Sequence, residues 1–338
     1  MMLPFRLPVG SALSIPGFAI GHGTDPVSKT GVTVVLCPDG AVAAAEVRGT
    51  ATGTRQFDSL ISPLHVARRA NAVVLSGGSG YGLAAADPVV EWLAARGYGF
   101  VTGVAPIPLV PTAILFDLGF GDAAARPRAE LVEAALKSAA WGVVPVGSVG
   151  AGTGATVGKA LGLPSCMKGG FGFASLKSEA GLTVAAAVAV NPFGDVRDPW
   201  NGQLVAGSRT RPEGLEFADS ARVLASLPPE ARSTWESNTT LAVVMTDAVL
   251  TKLEAAKVSQ MAFGALYRTL SPALSLYDGD LVVTLALGGT PAHVHQVGIL
   301  AEQAICEAIL IAVRQADGFG IVPAVRDLAA QHWAPGPR

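Results

Sequence analysis

Charge is scarce in this chain. Of 338 residues, only 15% are Lys, Arg, Asp or Glu, against 50% hydrophobic, and the formal net charge is −2. Nucleic acid and anionic membranes attract proteins through basic patches, whereas the basic residues here stand singly or in pairs such as Arg68-Arg69. Cysteine is rarer still. Cys37, Cys166 and Cys306 are far apart and odd in number, which excludes a disulfide framework or a metal clip and fits a reducing compartment. His293 and His295 are two residues apart, which is not metalloprotease spacing, so structural or surface roles are expected for the histidines. No metal and no organic cofactor is therefore expected. Apolar runs such as residues 184–190 are too short to cross a bilayer, and Pro4, Pro8 and Pro16 make the first twenty residues a poor signal peptide. Together these absences predict a soluble, cytoplasmic protein with neither nucleic-acid nor membrane partners.

What is plentiful is apolar residue, enough for a sizeable core and too much for disorder. So little charged surface predicts a homo-oligomer, or a thick layered domain whose sheets are buried on both faces. Short β-like runs alternate with helical ones. Residues 32–37 and 41–47 read as a hairpin around Pro38-Asp39-Gly40, and 72–75 as a short strand. Leu83, Ala86, Val90 and Leu93 fall at helical spacing over 83–96, with Gly97 as the stop. Further helices are expected over 131–141, 251–270 and 301–316. Strands are expected over 182–190, 203–206, 241–246 and 281–287. No internal repeat stands out. The polar stretch 208–238, with Pro228-Pro229, reads as a mobile surface segment where a chain cut would do little harm.

Two glycine clusters invite a phosphate-binding reading, which their spacing refuses. In Ser76-Gly77-Gly78-Ser79-Gly80-Tyr81-Gly82 no G-x-G-x-x-G can be placed. In the run from Gly150 to Ala160, a P-loop would need glycine at Thr153 and a hydroxyl residue at Ala160. The glycines either let backbone N–H groups approach an anion or developing oxyanion, or serve tight packing.

The strongest local signal is Glu236-Ser237-Asn238-Thr239-Thr240, followed at once by the apolar run Leu241-Ala242-Val243-Val244-Met245. A threonine between an irregular segment and a buried strand is suited to attacking the carbonyl carbon of the residue before it. Cleavage would expose an α-amine, a group that ordinarily titrates at about 7.7–8.0 and is able to take the hydroxyl proton. Tyr277-Asp278-Gly279-Asp280, just before another strand, is either a turn or a carboxylate pair aimed at one site.

This ordered series resembles the self-processing L-aminopeptidase/D-esterase peptidases, with β-aminopeptidases and nylon-oligomer hydrolases as close relatives. The likeness runs from Gly21-His22-Gly23-Thr24-Asp25 through both glycine clusters, Met167-Lys168-Gly169-Gly170 and Asn191-Pro192-Phe193-Gly194-Asp195 to Asn238-Thr239-Thr240 and Asp278-Gly279-Asp280. It implies one domain of the α/β class, a four-layer α/β/β/α N-terminal-nucleophile-like sandwich over 1–338. It also implies autocleavage between Asn238 and Thr239 into chains 1–238 and 239–338, which stay together. By match to the family's pattern, Thr239 is the nucleophile, Asp278 and Asp280 an acidic pair, Lys159 a lysine near the nucleophile, and Asn191 a binder of the reacting carbonyl. One departure stands out: Phe116 occupies a position where catalytic relatives often carry tyrosine, so Tyr81 or a backbone group would have to replace that phenol.

The expected activity is hydrolysis of small peptides, amino-acid amides or short oligoamides through an acyl-enzyme, in a homo-oligomer, a tetramer of cleaved heterodimers. Two alternatives stay open: an acyltransferase of the same fold, and a non-catalytic binding protein that kept the scaffold.

Overall fold

Residues 6–228 and 238–330 are described in the computed structural model. Its frame is nine strands: β1 (Ala19–Asp25), β2 (Thr30–Val47), β3 (Thr54–Arg55), β4 (Arg69–Ser76), β5 (Thr112–Ile114), β6 (Gly170–Lys177), β7 (Thr183–Asn191), β8 (Thr239–Ala248) and β9 (Leu281–Thr290). They hydrogen-bond in the order β6-β7-β8-β9-β2-β4-β5-β3, with β1 also on β2.

Strand β2 turns this single network into two layers. Its first half pairs with β1 and β4, and its second half, from Val42, pairs with β9. Between them lies Pro38-Asp39-Gly40, where the pairing to β4 shifts register and Gly40 takes φ +83°. The expected hairpin is thus wrong. Both halves are buried and need partners on both sides, so the turn residues make a bulge that bends one long strand from one sheet into the next.

Period-2 alternation then sorts side chains into three cores. Val73 and Leu75 face inward and meet Phe171, Phe173, Ala187, Val243 and Met245 between the sheets. Ala72 and Val74 face outward, against helices α1 (Ala86–Ala94) and α2 (Ala129–Ser138). On the opposite outer face, Ala186, Val188, Ala242 and Val244 meet helices α3 (Lys252–Ala262) and α4 (Val294–Arg314). The result is the expected α/β/β/α sandwich.

Local differences have local causes. The helix expected over 251–270 starts with a capping box between Thr251 and Glu254 but stops at Phe263, and a second short helix, Gly264–Thr269, follows. Helix α4 begins seven residues earlier than expected, because the His293 side chain caps it by accepting from the His295 N–H. Helix α4 is also long and apolar enough to cross a membrane, contrary to the reading of short runs, yet 78% of its most apolar window is buried inside the protein. The stretch 208–238 is exposed over 210–213 and 225–228, as a surface segment would be, but it is anchored between them. Ser208, Arg209 and Ser220 are buried, and the Asp195 carboxylate accepts from the Ser208 and Ser220 N–H groups. Residues 229–237 of that stretch, with Glu236 and Ser237, lie outside the described residues.

Candidate active site

Three strand ends meet at one end of the inner layer. Strand β7 ends at Asn191, directly opposite Thr239, the first residue of β8. Strand β9 runs parallel to β8 with Leu241 opposite Leu281, so Asp278-Gly279-Asp280 arrives beside Asn238-Thr239-Thr240. Opposed residues share a face, and Asn191 and Thr239 therefore project to the same side of the sheet. Thr239 is 1% exposed, and Asn238, Asn191, Asp278 and Asp280 are fully buried.

The peptide group between Asn238 and Thr239 is held on both sides. The Asn238 N–H donates to the Tyr277 carbonyl at 2.7 Å, and the Asn238 carbonyl accepts from the Gly279 N–H at 2.8 Å. The Thr239 hydroxyl donates to that same carbonyl oxygen. The residue before the threonine thus makes one rung of a parallel ladder against Asp278. Gly279 is required by closeness: a Cβ there would lie 2.7 Å from both Thr239 Oγ1 and the Ala51 carbonyl oxygen.

The two aspartates have different surroundings. Asp278 accepts from the Phe193 N–H at 2.9 Å, and from the Ser275 N–H at 2.9 Å and hydroxyl at 2.6 Å. Burial raises its pKa, while these donors and the nearby Lys159 oppose the rise. Asp280 accepts from the Thr240 N–H at 2.7 Å, and burial and then the Asp278 charge push its carboxyl well above the ordinary range. With more donors on Asp278, burial and the neighbouring charge raise the Asp280 carboxyl the further of the two.

Lys159 Nζ lies 2.8 Å from the Thr156 carbonyl, 3.0 Å from the Pro192 carbonyl and 3.1 Å from Asn191 Oδ1. Asn191 Oδ1 also accepts from the Thr156 N–H at 2.9 Å, and its Nδ2 donates to the Phe116 carbonyl at 3.0 Å. Phe116 therefore belongs to the site through its backbone oxygen, not through a ring hydroxyl. A narrow recess, with a volume of only about 10 Å³, is lined by Phe116, Phe120, Thr156, Lys159, Leu163 and Asn238, among others. Tyr81 does not line it: its ring is 61% exposed and lies under the Arg126 guanidinium at 3.8 Å.

The glycine clusters surround two buried ionisable groups, and in the first a backbone N–H does approach a carboxylate. Asp117 accepts from the Gly78 N–H at 2.7 Å and from the Thr30 hydroxyl at 2.8 Å. Lys168 donates to the Gly152 and Ala155 carbonyls at 2.9 and 2.6 Å, and burial pulls its pKa down to about 7. Neither stands out in the sequence as a site residue, although Asp117 adjoins Phe116 and Lys168 lies in the run Met167-Lys168-Gly169-Gly170. The Gly279 N–H is equally silent there, and the glycine between two aspartates is its only signal.

The profile of peptidase family S58 matches residues 12–326. The chain belongs to that family. An uncharacterized aminopeptidase of Mycobacterium leprae is 37% identical, covering 95% of each chain. A 6-aminohexanoate-oligomer endohydrolase of Kocuria sp. is 27% identical, over 88% of this chain and 84% of its own. Among solved structures, a Burkholderia sp. β-aminopeptidase superposes with TM-score 0.67 at 21% identity, covering 98% of this chain and 97% of its own. The L-aminopeptidase D-Ala-esterase/amidase of Ochrobactrum anthropi gives 0.68 at 19%, covering 93% and 89%, and its fold is a variant of the Ntn hydrolase fold. The four layers built up above are that fold, and this member of peptidase family S58 is an amide hydrolase.

Proposed function

We propose that the S58 protein cuts itself between Asn238 and Thr239 and then hydrolyses small peptides, amino-acid amides or short oligoamides with Thr239 as an N-terminal nucleophile. One observation carries the reading: the Thr239 hydroxyl and the Gly279 N–H both donate to the carbonyl oxygen of the bond to be cut.

In processing, Thr239 Oγ1 adds to the Asn238 carbonyl carbon and the oxygen becomes an oxyanion on the Gly279 N–H. The C–N bond breaks, the hydroxyl proton passes to the departing nitrogen, and an ester joins Asn238 to Thr239. Water then adds to that ester, releasing the Asn238 carboxyl group and restoring the hydroxyl. The freed α-amine, a type of group that ordinarily titrates at about 7.7–8.0, takes the Thr239 proton in later turnovers. Asp278, which accepts from more donors, holds that amine by charge, with the Asp280 carboxyl beside it. Lys159 and Asn191 fix the loop carrying Thr156 and the Phe116 carbonyl around the entering acyl group. A tetramer of cleaved heterodimers belongs to the same reading, supported by exposed apolar side chains such as Leu64 at 93% and Val104 at 96%.

The relatives named as aminopeptidases and oligoamide hydrolases support this substrate class. A slow acyl donor, such as an amino-acid aryl ester, tests it by intact mass. The acyl mass is expected on the fragment beginning at Thr239. Turnover with the acyl mass on the other fragment would sink the assignment.

A further inference from the structure

The Asn191 carboxamide is aimed by two backbone groups, the Thr156 N–H at 2.9 Å and the Phe116 carbonyl at 3.0 Å. A hydrogen bond orients its partner only as firmly as the peptide group that makes it is held. Each of these two peptide groups is steadied by a buried ionisable side chain that the chemistry above does not use.

Lys168 is fully buried and stands opposite Thr156 on a two-residue antiparallel ladder. Its ammonium donates to the Ala155 carbonyl at 2.6 Å and to the Gly152 carbonyl at 2.9 Å. The Ala155 carbonyl and the Thr156 N–H are two ends of one planar peptide group, so fixing the oxygen fixes the N–H that meets Asn191. A cation on the oxygen also polarises that N–H and strengthens it as a donor. The same oxygen accepts from the Gly169 N–H at 2.9 Å, so loss of the ammonium would loosen the group without freeing it.

Asp117 does the corresponding work on the other side. The Phe116 carbonyl belongs to the peptide group that ends at the Asp117 nitrogen, and the Asp117 carboxylate is tied to the Gly78 N–H at 2.7 Å and the Thr30 hydroxyl at 2.8 Å. The two holders meet at one loop. A Cβ on Gly154 would lie 2.6 Å from Asp117 Cβ, while Lys168 grips a carbonyl on either side of that glycine.

Resting on the nucleophile reading above, we propose that Lys168 and Asp117 are positioning residues for turnover. By holding the Thr156 and Phe116 peptide groups, they keep the Asn191 carboxamide in place opposite Thr239. Both act through Asn191 and touch no substrate, so their loss lowers kcat and leaves KM nearly alone.

The test uses processed enzyme, its concentration counted as chains whose N-terminus is Thr239, and the amino-acid p-nitroanilide that wild type turns over fastest. Lys168→Met and Asp117→Ala are each expected to lower kcat at least fivefold with KM within twofold of wild type. Asp117→Asn keeps an acceptor for the Gly78 N–H and should return kcat to within threefold. Placed on Asn191→Ala, Lys168→Met should cost less than a further twofold, because nothing is left for it to aim. A merely structural role lowers the melting temperature but leaves kcat per processed chain unchanged, or multiplies in full with Asn191→Ala, and either result overturns the inference. If Lys168→Met does not fold, the two Asp117 variants decide: equal kcat in Asp117→Ala and Asp117→Asn overturns it. These failures leave the nucleophile in place. Wild-type turnover by a chain never cut at Thr239 removes the nucleophile reading, and this inference with it.

Discussion

Asn191 and Thr239 stand directly opposite one another on adjacent antiparallel strands. The Asn191 carboxamide is nonetheless spent on the protein itself, accepting from Thr156 and Lys159 and donating to the Phe116 carbonyl. Asn191→Ala should therefore act twice. It leaves a buried N–H and a buried C=O without partners, at about 1–3 kcal/mol each, which a urea titration reads as a lower midpoint. It should also cut kcat by tenfold or more in whatever fraction is processed. Unchanged stability with unchanged turnover would count against its role.

Gly279 supplies an N–H to the Asn238 carbonyl and has no room for a side chain beside Thr239. Gly279→Ala should accumulate uncut chain, measured as the fraction of full-length protein by gel or mass after long incubation. Normal processing would show that the oxyanion is held elsewhere.

The raised Asp280 carboxyl makes a pH prediction for the uncut chain, trapped as Thr239→Ala. A carboxyl whose folded pKa lies above its unfolded value binds more protons folded than unfolded between the two. Its contribution is fully present below the unfolded pKa of about 3.9 and fades as pH climbs toward the folded value. Stability of trapped precursor should fall over that window, and Asp280→Asn should flatten the fall. An unchanged slope in the double variant would place the proton elsewhere.

Lys168 has the opposite sign. Buried with a pKa of about 7 against the ordinary lysine value of 10.5, it binds fewer protons folded than unfolded between those values. Stability should rise with pH from about 7 upward, and Lys168→Met should weaken that rise. Thermal melts across the range check this.

Much of this was legible in the sequence. Near-continuous apolar runs marked β4, β7, β8 and β9, and the pieces carrying Asn238-Thr239 and Asp278-Gly279-Asp280 stood at or just before the start of two of those strands. What failed was partner choice. Pro38-Asp39-Gly40 has turn chemistry, but whether it closes a hairpin or bulges a strand depends on neighbours over a hundred residues away. Backbone roles were equally hidden: the Phe116 carbonyl and the Gly279 N–H take part whatever side chain is attached. Tyr81 drew notice for its phenol, yet the fold turns that ring outward under Arg126.

The most direct test is the intact mass of purified wild type run beside Thr239→Ala. The 34.3 kDa chain should give fragments of roughly 24 and 10 kDa, with Thr239 at the new N-terminus, and the variant should stay whole. Wild type that remains whole after long incubation while hydrolysing amides would contradict the account, since Thr239 would then have no free amine to act as base.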